Sequence, residues 1–340
     1  MVRIGIVGIG FMGMIHYLGA RRVKGGQVVA ICSRDPKKRA GDWRSIHGNF
    51  GPKGAMMDLS GIKAYDDLSA MLADPDIDMV DICLPTDQHP DAAIRALQAG
   101  KHVLVEKAIA LKPEQADAML AAARSANRLL MVAHVLPFFP EFAFAAEFVR
   151  SGKGGKLLAG HFERVISKPD WSADIGDAAK TGGPAVDLHI HDTHFIGLLC
   201  GVPSEVYSRG VVDNGTVVHL TTQYLYERGP SCVTCTSGAL CMNGRSFVHG
   251  YELYLERATL LYSSDGKPLT VLTADGKTDR PKLTGGDDPT TAFTTEIQAA
   301  VDGIAAGKEP DLLSGQLARD ALVMCQRECE SVLAGRSVLV

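Results

Sequence analysis

The pattern of apolar positions changes about two-fifths of the way along the chain. Before residue 134, short apolar runs alternate with stretches that have helical spacing, which is the order of a doubly wound parallel sheet. Runs that are apolar throughout are typical of strands covered on both faces. The predicted strands are Val2–Val7, Gln27–Cys32, Met79–Leu84, His102–Glu106 and Leu129–His134. We therefore predict a Rossmann-type α/β domain over residues 1–134.

The second part of the chain, residues 135–340, has a different pattern. From Glu205 to about Leu272, strand-like runs alternate apolar and polar positions and are separated by turn residues, as in an antiparallel sheet. Helices are predicted at Glu141–Ser151, Ala185–Cys200, Thr291–Ala306 and Gly315–Leu333. We expect a second α/β domain with an antiparallel sheet, followed by two closing helices that are able to pack back on the first domain.

Composition narrows the functional classes. The chain has 340 residues, of which 46% are hydrophobic and 22% charged, and its net charge of −4 gives no reason to expect nucleic acid or a membrane as partner. Its eight cysteines are scattered, and the Cys232-x-x-Cys235 spacing has no second pair to complete a metal site. With no apolar run long enough to cross a bilayer and no predicted signal peptide, we expect a cytoplasmic protein.

A glycine motif joins the first predicted strand to the first helix. It reads Gly8-x-Gly10-x-x-Gly13, with Phe11 and Met12 before the last glycine. Such a turn presents backbone N–H groups and the positive end of a helix dipole, which suit a pyrophosphate. We predict dinucleotide binding by these five residues. The alternative is a glycine turn that binds nothing.

The tip of the second strand selects the cofactor in dinucleotide folds. An acid there accepts a hydrogen bond from the ribose 2′-hydroxyl of NAD. Here Ser33 and Arg34 occupy the tip, and they suit a 2′-phosphate. We predict NADP or NAD with a slight preference for NADP. The alternatives are stacking of Arg34 on adenine or a solvated turn.

Two later strands also end in polar residues at the sheet edge where ligands bind. Further cofactor contacts are predicted at Leu84, Pro85, Thr86, His89, Glu106 and Lys107. An amine beside the cofactor can hydrogen-bond a substrate hydroxyl and move its proton. Lys107 is therefore a candidate catalytic residue. The alternative is an ordinary surface lysine.

A third group lies in the predicted helix Ala185–Cys200. Asp187, His191 and His194 are spaced i, i+4 and i+7, which places them on one helical face. A carboxylate one turn from an imidazole can orient it for acid–base work. Alternatively, Asp187-x-His189-x-His191 in a strand resembles the zinc-binding start of an amidohydrolase barrel. We favour the helix and expect no resident metal.

Taken together and in this order, these motifs resemble the glucose–fructose oxidoreductase/inositol dehydrogenase/MocA family. The resemblance rests on the glycine motif, Cys83-Leu84-Pro85-Thr86-x-x-His89, Glu106-Lys107, Gly182-Gly183 leading to Asp187-x-x-x-His191, and Ala318-Arg319-Asp320-Ala321. It implies that Lys107, Asp187 and His191 are the catalytic residues and converge on one substrate hydroxyl. It also implies that the second domain has an open, mostly antiparallel sheet and that this sheet forms a homodimer or homotetramer.

The chain departs from the family pattern at four positions. Ala108 replaces a proline, His189 a small residue and His194 an acid, and His134 stands where relatives often carry arginine. Substrate contacts are predicted at His134, Arg164, Trp171 and His194, with Lys168 and Lys180 as weaker candidates.

The expected reaction is hydride transfer between a nicotinamide and a secondary carbinol of a sugar, inositol or related polyol. Three alternatives stay open. Two are enzymes, a cofactor-retaining glycoside hydrolase or lyase of the same family and a metal-dependent hydrolase. The third is a non-catalytic ligand sensor with a Rossmann domain, against which the presence of Lys107, Asp187 and His191 together argues.

Overall fold

The computed structural model describes residues 1–168, 178–285, 288 and 290–340. The chain forms two units, each assembled from two separate segments. Unit 1 comprises Met1–Phe138 and Gly285–Arg319, and unit 2 comprises Phe139–Thr284 and Asp320–Val340.

Helices and strands are numbered here in chain order. The strands are β1 Val2–Val7, β2 Gly26–Cys32, β3 Lys63–Tyr65, β4 Met79–Ile82, β5 His102–Glu106, β6 Leu130–Ala133, β7 Leu157–Ser167, β8 Glu205–Asp213, β9 Thr216–Leu225, β10 Cys232–Cys241, β11 Val248–Leu255, β12 Ala258–Ser263, β13 Lys267–Thr273, β14 Thr278–Asp279 and β15 Val338–Leu339. The helices are α1 Phe11–Ala20, α2 Pro36–Arg39, α3 Leu68–Leu72, α4 His89–Gln98, α5 Pro113–Ala126, α6 Pro140–Arg150, α7 Ala178–Thr181, α8 Pro184–Asp187, α9 Ile190–Cys200, α10 Thr290–Ala306 and α11 Gly315–Ala334.

Unit 1 is built on a six-stranded sheet with the order β3-β2-β1-β4-β5-β6, in which every pairing is parallel. The prediction of a doubly wound parallel sheet is confirmed. The central strands are buried along nearly their whole length, as continuous apolar runs require. Sequence analysis missed the edge strand β3, because its three residues are short, partly exposed and not apolar throughout.

Unit 2 contains a nine-stranded sheet with the order β14-β13-β12-β11-β7-β10-β9-β8-β15. All of its pairings are antiparallel except the parallel pair of β7 and β10, so the mostly antiparallel prediction is confirmed. Val217, Leu220 and Tyr224 of β9 are buried.

The prediction of a single helix over Ala185–Cys200 is wrong, because α8 and α9 are separate helices. The backbone keeps helical dihedral angles at Leu188 and His189. However, the N–H of His189 donates to the carbonyl of Pro184, five residues earlier, at 3.2 Å. This change in hydrogen-bond register separates Asp187, in α8, from His191, in α9.

Candidate functional site

Three glycines lie at the β1–α1 turn of unit 1, and they differ in the space that surrounds each of them. Gly8 has a φ of +90°, and a Cβ there would lie 2.6 Å from the carbonyl oxygen of Cys83. A Cβ on Gly13 would lie 2.0 Å from the carbonyl oxygen of Gly8. The fold itself therefore requires these two glycines.

Gly10 differs, since a Cβ at this position would meet no atom of the described structure within 4 Å. Gly10 is also the N-cap of α1, and no side chain caps that helix end. The first N–H groups of a helix that lacks a side-chain cap suit an anion. Open space at Gly10 and a helix terminus without a side-chain cap fit the pyrophosphate of a dinucleotide.

A groove of about 590 Å³ runs beside this turn, lined entirely by unit 1. Five of the predicted cofactor residues line it, namely Gly8, Gly10, Ser33, Arg34 and Leu84. Sequence analysis missed two cationic side chains in its wall, Lys38 and Arg95. Lys38 lies in α2 and Arg95 in α4, and neither residue belongs to a sequence motif that could have identified it.

The tip of β2 is held in place by its own neighbours. The guanidinium of Arg39 donates to the carbonyl oxygens of Ser33 and Arg34, at 2.8 and 3.0 Å. The carboxylate of Asp35 accepts the backbone N–H of Lys37 at 2.9 Å and caps α2. The nearest acid at the tip is thus engaged in a cap, while Arg34 remains exposed.

The other predicted cofactor residues of unit 1 lie outside the lining of this groove. Phe11 packs edge-on against Phe50, with ring centroids 4.9 Å apart, and Met12 is half-buried. In the loop after β4, Pro85 is exposed whereas Thr86 is buried. Their contacts with a cofactor stay predictions.

His89, at the start of α4, is fully buried. Its Nδ1 lies 2.8 Å from the carbonyl oxygen of Ala108, and its Nε2 lies 2.8 Å from that of Leu84. The ring therefore ties together the segments that follow β4 and β5. Burial lowers the pKa of His89, and the two carbonyl oxygens oppose this effect.

Glu106 is the last residue of β5 and Lys107 follows it. The Glu106 side chain is largely buried, while Lys107 is half-buried. The backbone N–H of Lys107 donates to Oε2 of Glu106 at 3.1 Å. The peptide bond between Lys107 and Ala108 is cis.

Two residues that sequence analysis missed lie beside Glu106. His16, in α1, and Asp81, in β4, are both fully buried. The available signal was Asp81 itself, an acid inside the apolar run Met79–Ile82, because acids are almost never fully buried without a partner.

In unit 2, Asp187 ends α8 and His191 lies in the first turn of α9, and both are half-buried. His189, between them, is fully buried and pairs through Nε2 with Oε2 of Glu328. Burial lowers the pKa of His189, but the Glu328 charge and hydrogen bond raise it above the ordinary value overall.

The metal interpretation of this segment is wrong, because the strand that it requires does not form. Asp187 lies in a helix, His189 in a turn and His191 in a second helix. His189 has instead become part of the interior through its pairing with Glu328.

The predicted substrate contacts are mostly interior. Arg164 is 4% exposed, and its Nε and Nη2 donate to Asp192 at 2.5 and 3.2 Å. His134 and His194 are fully buried, and burial lowers the pKa of His194 to about 3. Lys168 is exposed and Lys180 half-buried, whereas Trp171 lies outside the described residues. Substrate contact by these residues stays a prediction.

Within the described ranges, no helix is both long and apolar enough to span a membrane. All eight cysteines lie in the described part of the chain and are free thiols.

Residues 2–134 match the model of an oxidoreductase family described by its NAD-binding Rossmann fold. The myo-inositol 2-dehydrogenase of Thermotoga maritima is 25% identical over 363 residues, covering 99% of this chain and 98% of the relative. An inositol 2-dehydrogenase of Rhizobium meliloti is 26% identical, covering 100% of this chain and 99% of the relative.

Among solved structures, a levoglucosan dehydrogenase in complex with NADH and L-sorbose superimposes with a TM-score of 0.84. That chain is 21% identical, with coverage of 100% of this chain and 98% of the other. Because both units take part in such a match, the likeness supports the predicted fold over the whole length.

Proposed function

We propose that the chain is a member of the glucose–fructose oxidoreductase/inositol dehydrogenase/MocA family, since residues 2–134 match the family model and a full-length relative is an inositol dehydrogenase. In this proposal it transfers a hydride between NAD(P) and a sugar, inositol or related polyol. The reacting group is a secondary alcohol or the corresponding ketone. The observation that carries this proposal is the β1–α1 turn, whose Gly10 has open space for a pyrophosphate.

The chemistry that the nicotinamide supplies when bound is hydride transfer at its C4 atom. The protein must therefore bind and orient the cofactor and move one proton. Gly8, Gly10 and Gly13 shape the pyrophosphate site, and Ser33 and Arg34 contact the adenosine ribose or its 2′-phosphate.

For the proton, we infer three roles. His191 is the general base, Asp187 orients its imidazole, and Lys107 polarises the reacting oxygen or shares its proton. Two observations support these roles. Lys107 follows the strand β5 in the unit that holds the glycine turn, and Asp187 and His191 both keep part of their surface accessible.

The experiment that tests the function is a substrate panel with both cofactors. Myo-inositol, levoglucosan, D-xylose and L-sorbose are each incubated with NAD(P)⁺ or NAD(P)H, and the nicotinamide absorbance is followed. General acid–base groups contribute about 10²–10⁴-fold to turnover. Lys107→Ala and His191→Ala should therefore each lower kcat by about that range, while the cofactor Kd measured by calorimetry stays nearly unchanged.

Lys153→Ala and His47→Ala are matched controls, since both side chains are exposed and lie in the two different units. Both should keep wild-type turnover. Full turnover of Lys107→Ala or His191→Ala would contradict the assigned roles. A dehydrogenase oxidises or reduces the added NAD(P) as substrate is consumed. A cofactor-retaining hydrolase or lyase causes no net oxidation or reduction of it.

We also propose a homodimer or homotetramer in the cytoplasm, formed through the sheet of unit 2. The edge-proximal strand β8 leaves Tyr207, Val211 and Val212 exposed, each at about 40% or more of its surface. Such a cluster of apolar side chains on a strand is suited to an interface. Light scattering at micromolar concentration decides this, because a monomer would contradict it.

A further inference from the structure

Unit 1 buries a histidine between two carboxylates directly behind the segment that carries Lys107. His16 comes from α1, Asp81 from the middle of β4 and Glu106 from the end of β5. His16 and Asp81 are fully buried, and Glu106 is 7% exposed.

Both ring nitrogens of His16 face carboxylate oxygens. Nδ1 lies 3.0 and 2.9 Å from the two oxygens of Asp81, within hydrogen-bond geometry. Nε2 lies 2.9 Å from Oε1 of Glu106, an ion-pair contact that is not aligned as a hydrogen bond. A neutral imidazole carries only one N–H, whereas an imidazolium carries a proton on each nitrogen. Burial lowers the pKa of His16, but the Asp81 charge raises it well above its ordinary value overall.

Two other titratable groups face this site. Glu296, from α10, is fully buried, and neither of its carboxylate oxygens has a hydrogen-bond partner in the described structure. Burial raises the pKa of Glu296 well above its ordinary value, and burial also raises that of Cys83, which follows β4. Burial therefore favours the neutral form of both groups.

The far end of this arrangement is the backbone of Lys107. One oxygen of Glu106 lies against His16, while the other accepts the Lys107 N–H at 3.1 Å. On the opposite side, the carbonyl of Ala108 lies 2.8 Å from the buried ring of His89. The residues before and after Lys107 are thus both held by buried histidines.

We propose that Asp81, His16 and Glu106 form a buried charge chain, with His16 as its imidazolium, that positions Lys107 for catalysis. His16 and Asp81 touch neither substrate nor cofactor in this scheme and are positioning residues. The inference rests on the proposed role of Lys107. A bound metal ion is the rival outcome of the tests below, since His16, Asp81 and Cys83 offer metal-ligand atoms within 4.8 Å of one another.

The direct test is an NMR titration of the full-length protein labelled with ¹⁵N-histidine, with His16→Gln used to assign the His16 resonances. In the wild type, His16 should stay protonated on both nitrogens from about pH 6 to about pH 8. In Asp81→Asn it should titrate near or below about 6.5, the ordinary value. A neutral His16 at about pH 7 in the wild type would overturn the proposal.

The functional test compares kcat of Asp81→Asn over the same pH range with a substrate from the panel above. A small misplacement of a catalytic group lowers the reaction rate by up to about 10²-fold, so the kcat of Asp81→Asn should fall about 10–100-fold at about pH 8. Part of the lost kcat should return at about pH 6, where the imidazolium reforms. The cofactor Kd should stay unchanged. A merely structural defect would not be relieved by acid.

Asp78→Asn is the matched control, because Asp78 precedes the same strand and pairs instead with Arg3, at 2.8 Å. It should leave the His16 titration and the pH profile of kcat unchanged. If Lys107→Ala is inactive but Asp81→Asn has the wild-type kcat and profile, the charge chain alone is wrong. If Lys107→Ala is fully active, the proposed function of Lys107 fails. Stoichiometric zinc that is lost in Cys83→Ser would also overturn the charge chain in favour of a metal site.

Discussion

Both units bury a histidine beside a carboxylate, but they recruit its partners in different ways. In unit 1, the partners of His16 come from the neighbouring parallel strands β4 and β5. In unit 2, His189 pairs with Glu328, which is 139 residues away in the last helix. The first arrangement follows from strand order, whereas the second depends on the packing of distant segments.

The two arrangements also end differently. The chain in unit 1 ends at the backbone of Lys107. That in unit 2 continues from Glu328 to the hydroxyl of Thr222, at 3.1 Å, and from there to Ser208, at 2.7 Å. All of these groups in unit 2 are fully buried. We infer that the unit 2 network serves stability and that the unit 1 chain serves the site.

The largest stability effect should follow from breaking the other buried ion pair of unit 2. Asp192→Ala leaves the Arg164 guanidinium, which is 4% exposed, without its bidentate carboxylate. Removing one member of a buried pair costs about 3–5 kcal/mol. Urea unfolding followed by circular dichroism should show this loss, and the joint change Arg164→Met with Asp192→Leu should recover most of it.

The matched control is the exposed pair of Glu147 and Arg150 on α6, whose side chains are 62% and 77% exposed. Glu147→Ala should cost less than about 1 kcal/mol. An Asp192→Ala cost as small as that of the control would show that the burial of this pair has no energetic consequence.

A smaller, pH-dependent effect should come from Glu328. The folded-state pKa of His189 is raised, so its contribution to stability is present below the unfolded value of about 6.5 and is lost as pH rises through the folded value. A hydrogen bond to a charged group is worth about 1.5–3 kcal/mol. Glu328→Gln should therefore lower the free energy of unfolding by about 2 kcal/mol at about pH 6, and the difference should shrink at higher pH.

Glu330→Gln serves as control, because Glu330 lies two residues further along α11 and pairs with Arg327 at 2.7 Å, with both side chains 46% exposed. Glu330→Gln should change the free energy of unfolding little, and this change should not depend on pH. A Glu328→Gln difference that grows as pH rises would mean that His189 is not held as the imidazolium.

The same contrast explains how far sequence alone reaches. The glycine turn and the tips of β2, β4 and β5 could be predicted, because each depends on a few consecutive residues with a strong backbone requirement. Gly8 and Gly13 illustrate this, since each has a backbone oxygen where a Cβ would lie. The predicted site residues of unit 1 follow strand ends, and strand ends can be predicted from apolar runs.

The interior of unit 2 could not be predicted in this way. The helical stripe from Asp187 to His194 presumes one helix, but the hydrogen-bond register changes at His189. His189 looks like a departure from the family pattern until its partner Glu328 is known, and Arg164 looks like a substrate contact until Asp192 is seen beside it. No local spacing links such pairs, because they form only when separate elements pack.

The smallest effect is expected at the exposed tip of β2, where local sequence is most informative. Asp35 is engaged in capping α2, and Arg34 and Lys38 line the groove beside it. The groove also contains Arg95 and the carboxylates of Asp66, Asp67, Asp87 and Asp91. Arg34→Ala should weaken NADP binding about tenfold, or about 1.4 kcal/mol, and change NAD binding little, because only NADP carries a 2′-phosphate. Calorimetry with both cofactors measures these two affinities.

Lys37→Ala is the control, since Lys37 neighbours Lys38 but does not line the groove. Equal losses for the two cofactors, or tighter binding of NAD by the wild type, would contradict the NADP preference.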